Sequence, residues 1–226
     1  MSVFRYPKSL HQRKYMPRKF VRYQSYKRWL QREFERACVY CRQPDSLAPN
    51  LNFGVDHYRP KSIKRFANLV CDYKNLFYCC GNCNSRKGND WPIDELRGPY
   101  VANPCDHVMA EHIRFDSNSG KMIPRSEWGE HMAELLQLND QVLVGFRNGV
   151  LQMLQMCDRL VADLQKQVAQ LTRKQAKGQI ANSEYAAEMR TINARLLAKA
   201  AIRNRLAGTV PLEPISTSRF GVELNQ

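Results

Sequence analysis

The 226-residue chain has no run of about 18 apolar residues, the minimum for a helix that crosses a membrane. Its basic first residues are followed by no apolar stretch of the kind a secretory signal carries. Neither a membrane span nor export is therefore expected, and the location expected is the cytoplasm. In that reducing compartment the eight cysteines point to metal ligands or buried thiols rather than to disulfides. Carboxylates are scarce too, with 21 Asp and Glu against 35 Lys and Arg and a formal net charge of +14. That imbalance makes a polyanion the natural partner, since lysines and arginines that neutralise phosphates release condensed counterions. What is present can bury a core. At 43% hydrophobic, the chain can form one large domain or a small domain with an extension.

Much of the positive charge lies at one end. Residues 1–36 contain 11 Lys or Arg against Glu33 and Glu35, a net of +9. Up to about Lys19, basic residues alternate with Tyr6 and Tyr15, Pro7 and Pro17 interrupt, and no period is sustained, so an irregular arm is expected on the core or on nucleic acid. From about Gln24 to Ala37, apolar Tyr26, Leu30, Phe34 and Ala37 recur at helical spacing. A short amphipathic helix should lead into the first cysteine pair, with Arg22, Lys27, Arg28 and Arg32 within possible reach of a phosphate backbone. Residues 42–54 hold the turn formers Pro44, Asp45, Pro49, Asn50 and Gly54.

Alternation around Phe53 to His57 predicts a strand, Leu76 to Cys79 its antiparallel partner, and a helix follows from Asn84. That is a β-β-α order with a long loop over 58–74. Further on, 112–115 and 121–124 flank the turn-rich 116–120 and read as a hairpin. Glu127 to Leu138 reads as a short helix. An apolar stripe from about Asp140 to Lys177 and a second helix opened by Asn182-Ser183-Glu184 and running to about Leu206, joined through Gly178, predict an antiparallel helical hairpin. Its heptads are too irregular to require a dimeric coiled coil. The tail from about Gly208 is expected to be extended or disordered. The fold class is α+β, divided as an arm and helix (1–37), a core (38–97), a small β-hairpin and helix (98–138) and a helical hairpin with its tail (139–226).

The core stretch carries the chemistry. Cys38 with Cys41 and Cys80 with Cys83 form two Cys-x-x-Cys pairs, a four-thiolate set suited to tetrahedral Zn²⁺ in a structural role. No internal repeat is visible, so the pairs are halves of one ligand set. Cys79 would need a three-residue spacing to replace Cys80, and Cys71 and Cys157 read as buried apolar thiols. Cys105, Asp106, His107 and His112 do not make a clear ligand set and read as a loop with incidental polar groups. Between the pairs lie Asp56 and His57, then Asn75, with Asn84 just after the last cysteine. Hydrolysis of a phosphodiester needs a nucleophilic water and neutralisation of the charge that develops. His57 is the one histidine of this stretch and can accept that water's proton. Asp56 and Asn84 offer hard oxygens of the type Mg²⁺ favours.

At these residues, over about 38–90, the chain resembles the HNH (ββα-metal) endonucleases, in the branch whose core is braced by four cysteines. The resemblance implies a ββα-metal core in which Asp56 and Asn84 hold one catalytic Mg²⁺ or Mn²⁺ and His57 is the general base. Many relatives use histidine as the second ligand, so Asn84 marks an Asn-type variant, with Asn89 an alternative one helical turn later. Asn75 falls at the family's middle Asn, which fixes the strand and loop and orients the histidine; a plain turn Asn is the other reading. Lys87, with Arg86 as runner-up, is placed to meet the scissile phosphate. The string from His57 through Arg59 and Lys61 to Ser62 is similar to that of HNH proteins of bacterial anti-phage systems of the Septu, retron and Zorya kind, which makes Arg59 and Lys61 candidate DNA-backbone contacts, with Arg86 beside them.

The function expected is therefore a metal-dependent endonuclease that nicks or cleaves DNA in anti-phage defence. An ATPase or sensor protein of the same system is the partner expected on the helical hairpin. Two alternatives stand beside it. One is a non-catalytic zinc-ribbon protein that binds nucleic acid or assembles others, and the second is a nuclease directed at RNA.

Overall fold

The computed structural model describes residues 3–47 and 52–212. Pro49 and Asn50 of the first loop, and the tail beyond 212, lie outside that range. The described residues divide into two compact units, one formed by those up to 148 together with 211 and 212 and the other by 149–210.

In the first unit the N-terminal segment is extended and packs on the core, with Val3, Phe4 and Tyr6 buried. Arg13 inserts its guanidinium among the rings of Phe34, Tyr73 and Phe77, 4.8 to 5.1 Å from their centroids. It also donates to the carbonyl of Leu76 at 2.9 Å. Below it Glu33 is buried and accepts from His11, from the Lys14 and Tyr15 amides and from the Tyr73 hydroxyl. A buried carboxylate is tolerated because its oxygens are this fully satisfied.

The expected helix over 24–37 is shorter in the structure: a 3-10 turn over Tyr23–Tyr26 leads into α1, Lys27–Glu33. It stops because Glu35 and Arg36 take left-handed backbone angles, φ 53° and 60°, which swing the chain into the first cysteine turn. Apolar spacing through Ala37 continued past this break, since periodicity sees side chains and not backbone handedness.

Strand β1 (Phe53–His57) pairs antiparallel with β2 (Leu76–Cys80), in the register Asp56 opposite Phe77 and His57 opposite Leu76. All five residues of β2 are buried. Helix α2 spans Gly81–Lys87, beginning three residues before the expected Asn84, because Cys80 is its N-cap and Cys83 must turn back toward the first pair. At Gly81 an added Cβ would stand 3.0 Å from the Asn52 carbonyl oxygen, so a side chain here would press on the backbone just before β1.

A short turn α3 (Met109–His112) precedes the hairpin β3 (Ile113–Phe115) and β4 (Met122–Pro124). Helix α4, Glu127–Leu135, ends three residues short of the expected Leu138, where Gln137 goes left-handed at φ 47°. Its N-cap Ser126 accepts from the Gly129 amide at 3.2 Å, and a side chain on Gly129 would overlap the His112 carbonyl. Helix α5, Gln141–Ala176, starts in this unit. There the buried Arg147 donates to the carbonyls of Gly120 and Leu138 at 2.7 and 2.6 Å.

The second unit holds the rest of α5 and helix α6, Asn182–Ala207. The turn between them includes Gly178 at φ 65°, and an exposed Asp158–Arg203 ion pair at 2.6 Å joins the two helices. Val150, Cys157, Leu164, Ile192 and Leu206 are buried. No described helix is long and apolar enough to cross a membrane.

Candidate functional site

The thiols of Cys38, Cys41, Cys80 and Cys83 are buried and their sulfurs all lie within 4.8 Å of one another. The Cys41 and Cys80 sulfurs are 3.8 Å apart, close to the roughly 3.8 Å edge of a tetrahedron with Zn–S bonds of about 2.3 Å. The first pair is locked by backbone bonds from the Cys38 amide to Gln43 and from Arg42 back to Cys38, and the Val39 amide donates to Tyr78 of β2. The second pair is supplied by the end of β2 and the first turn of α2. Burial pushes the Cys38 thiol up, but hydrogen bonds from Cys41, Cys79 and Cys83 outweigh it and bring the group to about 5. Hydrogen bonds from Cys38 and Cys41 hold Cys80 far below the thiol range. Those same contacts push Cys41 and Cys83 up. Four thiols this close depend on one another for ionisation, and metal binding requires them as thiolates. The donor set fits zinc. Cys79 stays outside it, its thiol donating to the Cys80 carbonyl at 3.1 Å. Cys157 is buried as expected, whereas Cys71 is only half-buried, with its thiol on the Val21 carbonyl at 3.1 Å.

His57 closes β1 and is 7% exposed. Its Nε2 lies 3.0 Å from the Val70 carbonyl oxygen. A carbonyl only accepts, so Nε2 carries the proton and the lone pair of the neutral ring is on Nδ1. Burial holds the imidazole below its ordinary value, against the opposing pull of the Val70 bond and the Asp56 charge. Near pH 7 it is therefore neutral and able to accept a proton.

Asn75 clamps the chain on both sides of that ring. Its Oδ1 accepts from the Arg59 amide at 2.8 Å, and its Nδ2 donates to the carbonyls of Arg59 and Leu69 at 3.1 and 3.3 Å. One contact fixes the residue two places after His57, and the other fixes the residue just before Val70.

Asp56 and His57 are neighbours on a strand, and successive side chains alternate in direction; their partners lie on different elements. The Asp56 carboxylate is 4% exposed. It accepts from the Tyr40 hydroxyl at 2.5 Å and pairs with the Lys87 ammonium at 3.3 Å. Lys87 also donates to the His57 carbonyl at 2.9 Å. Its ammonium is thus buried between the Asp56 carboxylate and the His57 carbonyl. Asn84 and Asn89 are exposed, and no hydrogen bond joins the Asn84 side chain to Asp56 among the described residues. Asp56 and Asn84 carry donor atoms of the kind a hard cation takes, and the ammonium of Lys87 lies beside Asp56.

The three outer cations are also engaged. Arg59 pairs with Glu95 at 3.2 Å and lies over the Trp91 ring. Lys61 reaches the Tyr23 hydroxyl at 3.2 Å. Arg86 donates to the carbonyls of Leu136 and Gln137 beyond α4. Among the described residues no metal set forms from Cys105, Asp106, His107 and His112; instead the two imidazoles meet edge-on at 5.1 Å.

A 33% identity over 73 residues relates the chain to the Septu protein PtuB of Bacillus thuringiensis. That match covers 31% of this chain and 27% of the relative. No family model and no solved structure matches.

Two residues at the site were not singled out from sequence. Tyr23 packs edge-on against the His57 ring, centroids 4.5 Å apart, and Tyr40 holds Asp56. Tyr40 sits inside the first cysteine pair, so its neighbourhood could have been inferred once that pair was tied to the strands. Tyr23 lies 34 positions before His57, and no local pattern links them.

Proposed function

We propose that the chain is an HNH-type endonuclease of an anti-phage system, with residues 38–97 as its ββα-metal core. The observation that carries this is the state of His57: a neutral imidazole, protonated on Nε2 by a fixed backbone contact and basic at Nδ1, at the end of a strand pinned by four thiols. In this reading Nδ1 takes the proton of the attacking water. Asn75 positions the ring by holding residues 59 and 69. Zinc on the four cysteines holds the strands and α2 together and takes no part in the reaction. A divalent cation on Asp56 and Asn84 would supply positive charge for the phosphoryl oxygens, and its binding requires Lys87 to release Asp56. The net charge and the similarity to a Septu protein favour nucleic acid as substrate and a defence setting. The helical hairpin is the proposed docking surface for an ATPase or sensor protein.

One observation favours a second reading. The Asp56–Lys87 pair is buried and complete, as it would be in a zinc-braced module that binds nucleic acid without cutting it. Supercoiled plasmid incubated with Mg²⁺ or Mn²⁺ separates the two. Conversion to nicked or linear circles by the parent and not by His57→Ala is the outcome expected of the nuclease. Retardation of the plasmid with no cleavage by either protein is the outcome of the binding module. RNA offered in parallel distinguishes the RNA-directed alternative.

A further inference from the structure

A ladder of aromatic rings leads away from the loop that follows His57. Tyr58, the next residue, meets Trp91 edge-on at 5.1 Å. Trp91 meets Tyr100 at 4.9 Å, Tyr100 meets Trp128 at 4.4 Å, and Trp128 meets His107 at 4.9 Å with the rings 36° apart. From Trp91 to His107 all four rings are half-buried and keep part of their surface in solvent. The core rings of the same unit, Tyr40, Phe77 and Tyr78, are closed off to 1% exposure or less. A cluster serving only to fill the interior would close in the same way. Between Trp91 and Tyr100 the connecting segment also leaves Ile93 and Leu96 at 97% and 96% exposure.

Positive charge lies at the near end of the ladder. The loop 58–75 carries Arg59, Lys61, Lys64, Arg65 and Lys74 against Asp72, five minus one, or +4. Arg59 stands 5.4 Å from the centre of the Trp91 ring, and Arg65 stands 4.8 Å from that of Phe66. Glu95 holds the Arg59 guanidinium and the Trp91 indole N–H from one side, each at 3.2 Å, so cation and ring are fixed relative to each other. Half-exposed rings in series beside a cationic strip suit a strand whose bases are unpaired: bases stack on the rings and phosphates meet the cations. A duplex hides its base faces and gains nothing from the rings.

We propose that the track from Trp91 through Tyr100 and Trp128 to His107 binds an unpaired nucleic-acid strand by base stacking. The substrate delivered to His57 is then single-stranded or locally unwound. This narrows the reading of His57 as the phosphodiester site and rests on it for the direction of delivery, but the binding itself is measured without cleavage.

The test uses the full chain carrying His57→Ala, with labelled oligothymidylate, oligouridylate and a duplex, each of about 12 nucleotides or pairs, within the range one stacking module covers. Anisotropy and tryptophan emission are read at physiological salt. Single strands are expected to bind at least about ten-fold more tightly than the duplex and to quench emission. Trp128→Ala should lower single-strand affinity by about ten-fold, the usual size of one lost base–ring stack, and leave duplex affinity unchanged. His107→Ala, further from the packed end, serves where Trp128→Ala lowers the melting temperature, and should act in the same direction. The preferred sugar identifies DNA or RNA as the source of the strand. Equal affinity for duplex and single strands, or equal weakening of both by the two variants, overturns the proposal and leaves the ladder to a protein partner. Plasmid cleavage by the parent is scored separately, so loss of this proposal does not decide the hydrolytic one.

Discussion

Lys87 and Asp56 form the most consequential pair of side chains at the site, because both are buried and each offsets the other's charge. Replacing Lys87 by Met strands a carboxylate in a low-dielectric interior, at a cost of roughly 3–5 kcal/mol. The double variant Lys87→Met, Asp56→Asn removes both charges and should recover much of that loss. Denaturant unfolding of the two single variants and the double one measures the coupling. A parent-like midpoint for Lys87→Met alone would show that the ammonium is dispensable where it sits. Glu33 gives a second residue-scale prediction. Burial raises its carboxyl, but hydrogen bonds from His11, Lys14, Tyr73 and Tyr15 outweigh that and hold it below the usual carboxylate value. A folded value below the unfolded one means that the unfolded chain binds the proton more readily as pH falls. The stabilisation is therefore complete above the ordinary glutamate range, about 4.3, and is lost as pH drops through the lower folded value. Thermal melts should show Glu33→Gln less stable than the parent at neutral pH, with the gap narrowing in acid; a gap constant with pH would contradict the assignment.

At the scale of elements, β1, β2 and α2 are short, and a two-stranded sheet is marginal by itself. What holds these pieces is the contact of the first cysteine turn with β2 and the convergence of four sulfurs from three segments. Zinc should therefore account for much of the folding energy of this core. Metal analysis of the purified chain is expected to find about one equivalent of zinc, and Cys83→Ser should lose it. On chelation, hydrogen exchange should accelerate in β1 and β2 first, while the amides of α6 keep their protection. Uniform deprotection of both units would mean that the thiol cluster is not a local brace.

For the molecule as a whole, the formal charge of +14 bears on the proposed binding of nucleic acid. Affinity should fall linearly with salt on logarithmic axes, with a slope of roughly −0.7 to −0.9 per phosphate neutralised. The exposed Arg22 and Lys27 flank the 3-10 turn that carries Tyr23, which touches His57. Changing both to Ala should reduce the slope by about one to two units, read from anisotropy titrations over a salt series. An unchanged slope would place the contact surface elsewhere.

Composition, the cysteine spacing and the period of apolar residues determined several things without coordinates: the four-sulfur set, the β-β-α order, the small hairpin and the two long helices, whose ends were read within a residue or two. These follow from local rules, since ligand spacing and side-chain alternation are written along the chain. Helix ends that depend on backbone handedness, at Glu35 and Gln137, were not legible that way. Nor were the partners of the site residues. Lys87 turning inward to Asp56, Arg86 capping α4, Asn75 clamping both flanks of the imidazole and Tyr23 lying against it all join residues far apart in sequence. Only the folded chain decides such contacts, because a buried charge or polar group takes whichever complementary partner the packing brings within reach.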